Sequence, residues 1–539
     1  MNARRSPLVR WLSLFLLTAL LVSACAPAAS TGPAAPAESA AQGQPEAQQA
    51  AAPAAQGEKV LTVALTTIPN SLDMPKAAER NASNASWQLY DSLLWINDEG
   101  ELEPALATEW TVSEDGTTYT FTLREGVTFH NGEPFTAEAV VSSWERGKNP
   151  ENEYFTDWEQ ATSVTVIDDM TVQVTTDGPK PLFLRQMAQS WAMTPPGYIS
   201  EVGEEEFLRK PVGTGPFKLV ELVEGDRIVM EKNENYWRDG YPLIDRLIFR
   251  PIPESSTRVA AIQTGEVDIV TRLSAEEAES LRSQEGIEVI NYPVDRVYYI
   301  AFNNMTTGVG QPTEDPKVRL AMNYAVDVQA ILDALFNGYG RPATGLVSSS
   351  SFGYDPEIQP YGYDPEKAKQ LLAEAGYPDG FSIDMACPAG AYTNFEQVCE
   401  AVQGYLGEIG IQVNLEIMES GAFWDLEANK QLPPLFGDSW SSTLGESLVR
   451  LNGALLGEGA SYSSWSDPVI IDLLNEISVT VDEEARAELY IELQRYMQEN
   501  PPFIYLYEPV TFEAIRSRVE NYKPRSAEQY YLFDIDVSE

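Results

Sequence analysis

Histidine is almost missing from this chain: His130 stands alone among 539 residues, beside only three cysteines, Cys25, Cys387 and Cys399. Protein metal centres lean on clustered imidazole and thiolate ligands, so this supply disfavours a zinc or nickel site, and no metal is expected. Positive charge is scarce too, with 36 Lys and Arg against 81 Asp and Glu and a formal net charge of −45. Such a surface repels nucleic acid and anionic lipid heads, and no basic cluster offsets it, so nucleic acid is excluded as a partner. Catalytic signatures are absent as well. There is no GxSxG elbow, no phosphate loop ending in Gly-Lys-Ser/Thr, no HExxH and no CxxC. Gly213-Thr214-Gly215 lacks the continuation of a dinucleotide fingerprint. A glycosidase needs only two carboxylates, but no pair stands out among so many acids. The expectation is a protein without catalysis or cofactor.

Long hydrophobic runs are also lacking. Residues 11–22 form an apolar stretch of about a dozen, short of the roughly 20 that cross ~30 Å of hydrocarbon. Arg4, Arg5 and Arg10 precede it and small residues close it, the pattern of a secretory signal peptide over 1–24. Val22-Ser23-Ala24-Cys25 resembles the bacterial lipobox, which implies a lipid on Cys25 and an extracytoplasmic body anchored to the cell membrane. Residues 25–57 are mostly Ala, Pro, Gln, Gly and Ser without apolar periodicity. Nothing there offsets the entropy of ordering, so a disordered tether is expected.

The remainder, about 480 residues, exceeds what one hydrophobic core supports, so two or three lobes are expected. Residues 60–65 read as a buried strand ending at Pro69-Asn70. Residues 118–123 alternate Thr-Tyr-Thr-Phe-Thr-Leu, a strand with one buried face, and 172–174 read similarly. A helix is expected from Thr136 to about Arg146. Asp315 before Pro316, and Asp364 before Pro365, each predict a capped helix with proline in its first turn, the second ending at Gly376. Thr393 and Glu396 match a capping box opening a third helix, and a strand at 411–417 follows. This alternation predicts an α/β fold with some parallel pairing. Cys387 and Cys399, near each other in an exported protein, are a candidate disulfide.

Five ordered blocks carry a resemblance. They are Leu123-Arg124-Glu125-Gly126-Val127-Thr128-Phe129-His130-Asn131-Gly132 with Pro134 to Glu138; Pro211 to Phe217 with Asn235-Tyr236-Trp237; Arg258 to Ala261 with Gly265-Glu266-Val267-Asp268-Ile269; Val318-Arg319 with Ala321 to Asp327; and Asp364 to Ala368 with Ala375-Gly376-Tyr377. Together they resemble the family-5 extracellular solute-binding proteins of dipeptide, oligopeptide, glutathione and nickel importers. The resemblance implies a two-lobe periplasmic-binding-protein fold (class II, cluster C) with an extra subdomain in the first lobe. The expected limits are 58–302 plus 509–539 for the first lobe, with the insertion at about 89–210, and 303–508 for the second. Segments 297–303 and 503–507 are the expected crossings. Within its block, His130 is expected to be a packed structural residue.

The same resemblance implies a monomeric receptor that captures a peptide-like solute between its lobes and delivers it to the permease of an ABC importer. Alternatives are an oligosaccharide, an opine or a chelated metal in the same fold, or a lipid-anchored hydrolase. Trp440 is similar to the family's cleft tryptophan, and Ser439, Ser441, Thr443 and Asp438 flank it. Peptide-binding relatives tend to carry aspartate where this chain has Thr443, and a hydroxyl cannot pair with an ammonium as a carboxylate does. Asp438 or Glu446 could supply that anion. Tyr392, Asn303, Asn304, Asn70, Ser71 and Trp424 complete the candidate ligand contacts.

Overall fold

Val60–Leu65 feeds two cores at once: Leu61, Val63 and Leu65 pack on one side and Ala64 on the other. A strand covered on both faces needs no polar alternation, which is why it reads as continuously apolar. In this computed structural model, which describes residues 57–69, 71–76, 80–98, 100–152, 154–460 and 462–538, it is the middle strand of seven. The order is Ile287–Pro293, Val510–Arg516, Ile269–Leu273, Val60–Leu65, Arg246–Pro251, Arg227–Lys232, Phe217–Val223. Val60–Leu65 runs parallel to both its neighbours. The signal peptide, the tether, Cys25 and Asn70 lie outside the described residues.

A second sheet has the order Ile411–Glu419, Phe381–Ala389, Leu435–Ser441, Arg296–Phe302, Phe503–Tyr505. Its first three strands are mutually parallel. Helix Phe395–Glu408 covers it with Val398, Cys399, Val402 and Leu406. Asp315 and Asp364 cap their helices as expected, accepting from the Lys317 and Lys367 amides. The capping box at Thr393 does not form. Asn394 is the cap residue, in left-handed backbone with φ 56°, and Glu396 instead accepts from the Gly390 amide at 2.6 Å. Cys387 on the strand and Cys399 on the helix are joined, with Cα atoms 6.6 Å apart.

A four-stranded antiparallel sheet, ordered Ala107–Val112, Thr118–Leu123, Thr171–Thr176, Ala161–Asp168, is inserted after the first strand. Tyr119, Phe121 and Leu123 point into its core, where Trp158 and Trp191 stack at 4.6 Å.

One expected boundary shifts. Arg296–Phe302, assigned to the first lobe by the limit at 302, pairs along its whole length with Leu435–Ser441 in the second sheet. The chain therefore changes sheets at Val294 and Asp295, and returns at Pro509. The Val294 amide donates to the Pro509 carbonyl at 3.1 Å, so the two passages lie side by side. The apolar aromatic run at 297–302 reflects burial inside one sheet and not a bridge between two.

Candidate functional site

Three parallel strands of the first sheet end at Leu65, Pro251 and Leu273, and three of the second end at Ala389, Glu419 and Ser441. Crevices outside the carboxyl ends of such strands are where α/β proteins hold ligands. Here the loop after Ser441 meets the inserted region. The Thr443 hydroxyl donates to Gln189 Oε1 at 2.8 Å, and Arg185 Nη1 donates to the Leu444 carbonyl at 3.1 Å. Gln189 and Arg185 sit on helix Phe183–Ser190 of the inserted region.

From the second sheet, Arg296 stands beside the passage between sheets and donates to Ser439 Oγ at 2.7 Å. Ser441 is its register partner. The Arg296 guanidinium lies 5.6 Å from the Tyr392 ring centre. Tyr392, in the loop after Phe381–Ala389, donates its hydroxyl to Asp438 Oδ1 at 2.7 Å. Asp438 is buried, and desolvation pushes its carboxyl up. Glu427, on helix Ser420–Ala428, hydrogen-bonds to it and is pushed up to about 10, first by desolvation and then by the Asp438 charge. Two buried carboxyls side by side cannot both ionise, so the pair keeps a proton at neutral pH.

The first sheet contributes a basic group. Arg258 ties the loop after Pro251 to the strand Ile269–Leu273 by donating to the carbonyls of Ile252, Pro253, Thr271 and Arg272. Arg272 Nε lies 3.4 Å from Glu528 Oε1. The Glu528 carbonyl is fixed by Asn84 Nδ2 at 3.0 Å. Arg80, first residue of helix Arg80–Ser86, lies within electrostatic reach of Tyr154, Glu528, Arg272 and Arg296.

The sequence candidates separate accordingly. Ser439, Ser441, Thr443, Asp438 and Tyr392 gather at the facing ends. Trp440 is on the alternate face of the strand from Ser439 and Ser441. Its ring lies over Gly453, where an added Cβ would come within 2.3 Å of it, and meets Tyr462 edge-on at 5.9 Å. Ser71 caps a local turn by accepting from the Asp73 amide. Trp424 is 38% exposed on its helix and has no ring or polar partner among the described residues. Asn303 and Asn304 are corrected. They follow Phe302 at the end of the strand remote from the passage between sheets, roughly 20 Å away at 3.3 Å per residue. Asn303 is spent on Thr306, Thr307 and the Leu432 carbonyl, and Asn304 on Ser466. Glu446 is corrected as well: it is buried against Arg486 at 3.0 Å and Tyr490 at 2.8 Å. His130 is structural, bonded to the Gly215 carbonyl at 3.0 Å and the Gly213 amide at 3.3 Å.

Arg80, Arg272, Arg296, Glu528, Gln189 and Glu427 were not anticipated. Only Arg296, next to Asp295 at the head of an aromatic strand, left a trace in the sequence.

The sequence model of the bacterial extracellular solute-binding proteins, family 5 (Middle), matches residues 101–461. The glutathione-binding protein GsiB of Salmonella paratyphi A is 31% identical over 458 residues, covering 83% of this chain and 88% of that protein. Among solved structures, HbpA2 from Haemophilus parasuis is 27% identical with a TM-score of 0.81, over 89% of this chain and 100% of that one. The periplasmic binding protein DppA from Helicobacter pylori, in complex with peptide STSA, is 27% identical with a TM-score of 0.74, over 90% of this chain and 99% of that one.

Proposed function

This chain belongs to the bacterial extracellular solute-binding proteins of family 5, and from that premise we propose that its solute is peptide-like and is held between the two sheets. As a family member it is the extracytoplasmic substrate-binding receptor of an ABC importer, works with that importer's permease, and is not an enzyme. Its fold is the two-lobe periplasmic-binding-protein fold. No helix among the described residues is long and apolar enough to cross a membrane.

The observation that carries the solute's position is the contact of the loop after Ser441 with the inserted region, Thr443 to Gln189. It lies beside Arg80, which has both Arg272 at a first-sheet strand end and Arg296 of the second sheet within electrostatic reach. The solute class is supported by the names of two relatives, one glutathione-binding and one bound to a peptide. In this reading residues 58–295 and 509–539 move as one lobe, with the insertion at about 89–210, and residues 296–508 as the other. A solute that fits the closed arrangement better than the open one shifts the population toward it. Ser439, Ser441, Thr443 and Tyr392 are its second-lobe contacts, and Trp440 backs their strand from its other face. A lipid on Cys25 holds the monomer at the membrane through the tether.

The test is native mass spectrometry of the gently purified protein, followed by melting with glutathione and with Ser-Thr-Ser-Ala. A retained peptide-like mass that raises the melting temperature on re-addition is expected, since ligands of the folded state stabilise it. A retained sugar, with no response to either peptide, sinks the peptide assignment and leaves the receptor.

A further inference from the structure

We propose that the cleft takes its solute by a carboxylate, received by Arg80 of the first lobe and Arg296 of the second; this rests on the solute lying between the lobes. Arg80 Nη1 is sealed from solvent and has no hydrogen-bond partner among the described residues. Among the described residues three other buried guanidinium nitrogens lack a partner, Arg238 Nε, Arg246 Nε and Arg450 Nε. Arg80's is the one terminal nitrogen among them, the kind that forks onto a carboxylate. Arg258 meets four carbonyls, Arg319 meets three, and Arg486 holds Glu446 in a fork. A buried donor of Arg80's kind calls for an acceptor.

Charge points the same way. Arg80, Arg272 and Arg296 converge near a single carboxylate, Glu528, while the protonated Glu427–Asp438 pair behind Tyr392 contributes at most one negative charge. Local charge is therefore positive in a protein whose formal net charge is −45, so composition does not account for it. Burial lowers the Arg80 pKa, and an anion at its fork would offset that desolvation. The planar guanidinium matches a carboxylate in two parallel hydrogen bonds.

Two of the six described non-glycine residues with positive φ lie at the same place. Arg272 has φ 54° and Glu528 has φ 52°, left-handed conformations uncommon for such residues. Both lie within electrostatic reach of Arg80. Residues held in sparsely populated backbone regions gather at ligand clamps, where surrounding structure enforces them.

The experiment is calorimetric titration of the full chain with paired probes: Ala-Ala-Ala and its C-terminal amide, glutathione and its diethyl ester, succinate, and maltotriose. Acids are expected to bind at least ten-fold more tightly than their amide or ester. Arg80→Met should weaken the acids by about ten- to a hundred-fold, the span of a charge-assisted hydrogen bond, and leave the amide unchanged. It should also leave the empty protein's melting temperature level or raised, because it removes a desolvated charge crowded by Arg272 and Arg296; a purely structural arginine would lower it. If Arg80→Met does not fold, Arg296→Met decides: a loss of at least ten-fold in acid affinity with the amide unchanged supports the proposal, and an unchanged preference for acids overturns it. Acid and amide binding alike overturns the carboxylate while leaving the peptide reading. Arg80-dependent binding of succinate with no response to peptides leaves the carboxylate and removes the peptide. Binding of maltotriose alone, or of no acid, overturns it.

Discussion

Replacing Arg450 with methionine should cost this fold about 3–5 kcal/mol, the range for breaking a buried ion pair from one side. Its guanidinium is fully buried, 2.9 Å from Asp295 Oδ1 and 2.6 Å from Ser447 Oγ, and donates to the Trp440 carbonyl at 3.0 Å. Asp295, where the chain passes between sheets, also accepts from Ser348 at 2.5 Å and Ser351 at 3.1 Å. Methionine refills most of the volume but leaves the Asp295 carboxylate buried with only two hydroxyl donors. For a body of roughly 480 residues the unfolding entropy is about 1 kcal/mol/K, so the melting temperature should fall by ~3–5 °C. Adding Asp295→Asn removes the stranded charge. The double variant should therefore recover ~2 kcal/mol relative to the sum of the single losses. Denaturant unfolding followed by tryptophan fluorescence, with the slope checked for each variant, supplies all four corners of the cycle. A loss below ~1 kcal/mol for Arg450→Met, or strict additivity, would refute the reasoning, since a stranded buried charge can do neither.

Two further outcomes concern pH. Desolvation takes His130 from 6.5 down to about 4, so its contribution is complete above pH 6.5 and is lost as pH falls through 4. That shift corresponds to ~3 kcal/mol, and His130→Gln should flatten the stability profile between those values; an unchanged slope would count against a neutral buried imidazole. Glu427 runs the opposite way. Its carboxyl holds a proton up to about 10 in the folded state, so stability falls as pH rises from the ordinary carboxylate range toward 10. Melting temperatures from pH 6 to 10 should decline less in Glu427→Gln than in the parent, and parallel curves would dismiss the shared proton.

Much of the fold was legible because it is local. Aspartate before proline fixed two helix starts, since the side chain accepts a free amide and proline needs no donor there. Alternation over Thr118–Leu123 gave both the strand and its buried face. The box at Thr393 failed because the matching spacing says nothing about backbone: Asn394 turns left-handed and Glu396 is drawn to Gly390. Asn303 and Asn304 were misplaced for a related reason. Position after an aromatic strand is one-dimensional, and only pairing with Leu435–Ser441 reveals which end faces the other sheet.

The sequence by itself determined the α/β character, the family blocks, the scarcity of metal ligands and the surplus of acid, because composition and short spacings act within a few residues. Only the tertiary structure decided which charges meet. Arg80, Arg272, Arg296 and Glu528 come from segments up to about 450 residues apart and carry no common pattern. They converge because two sheets present their strand ends to each other, and that placement is set by packing across the whole chain.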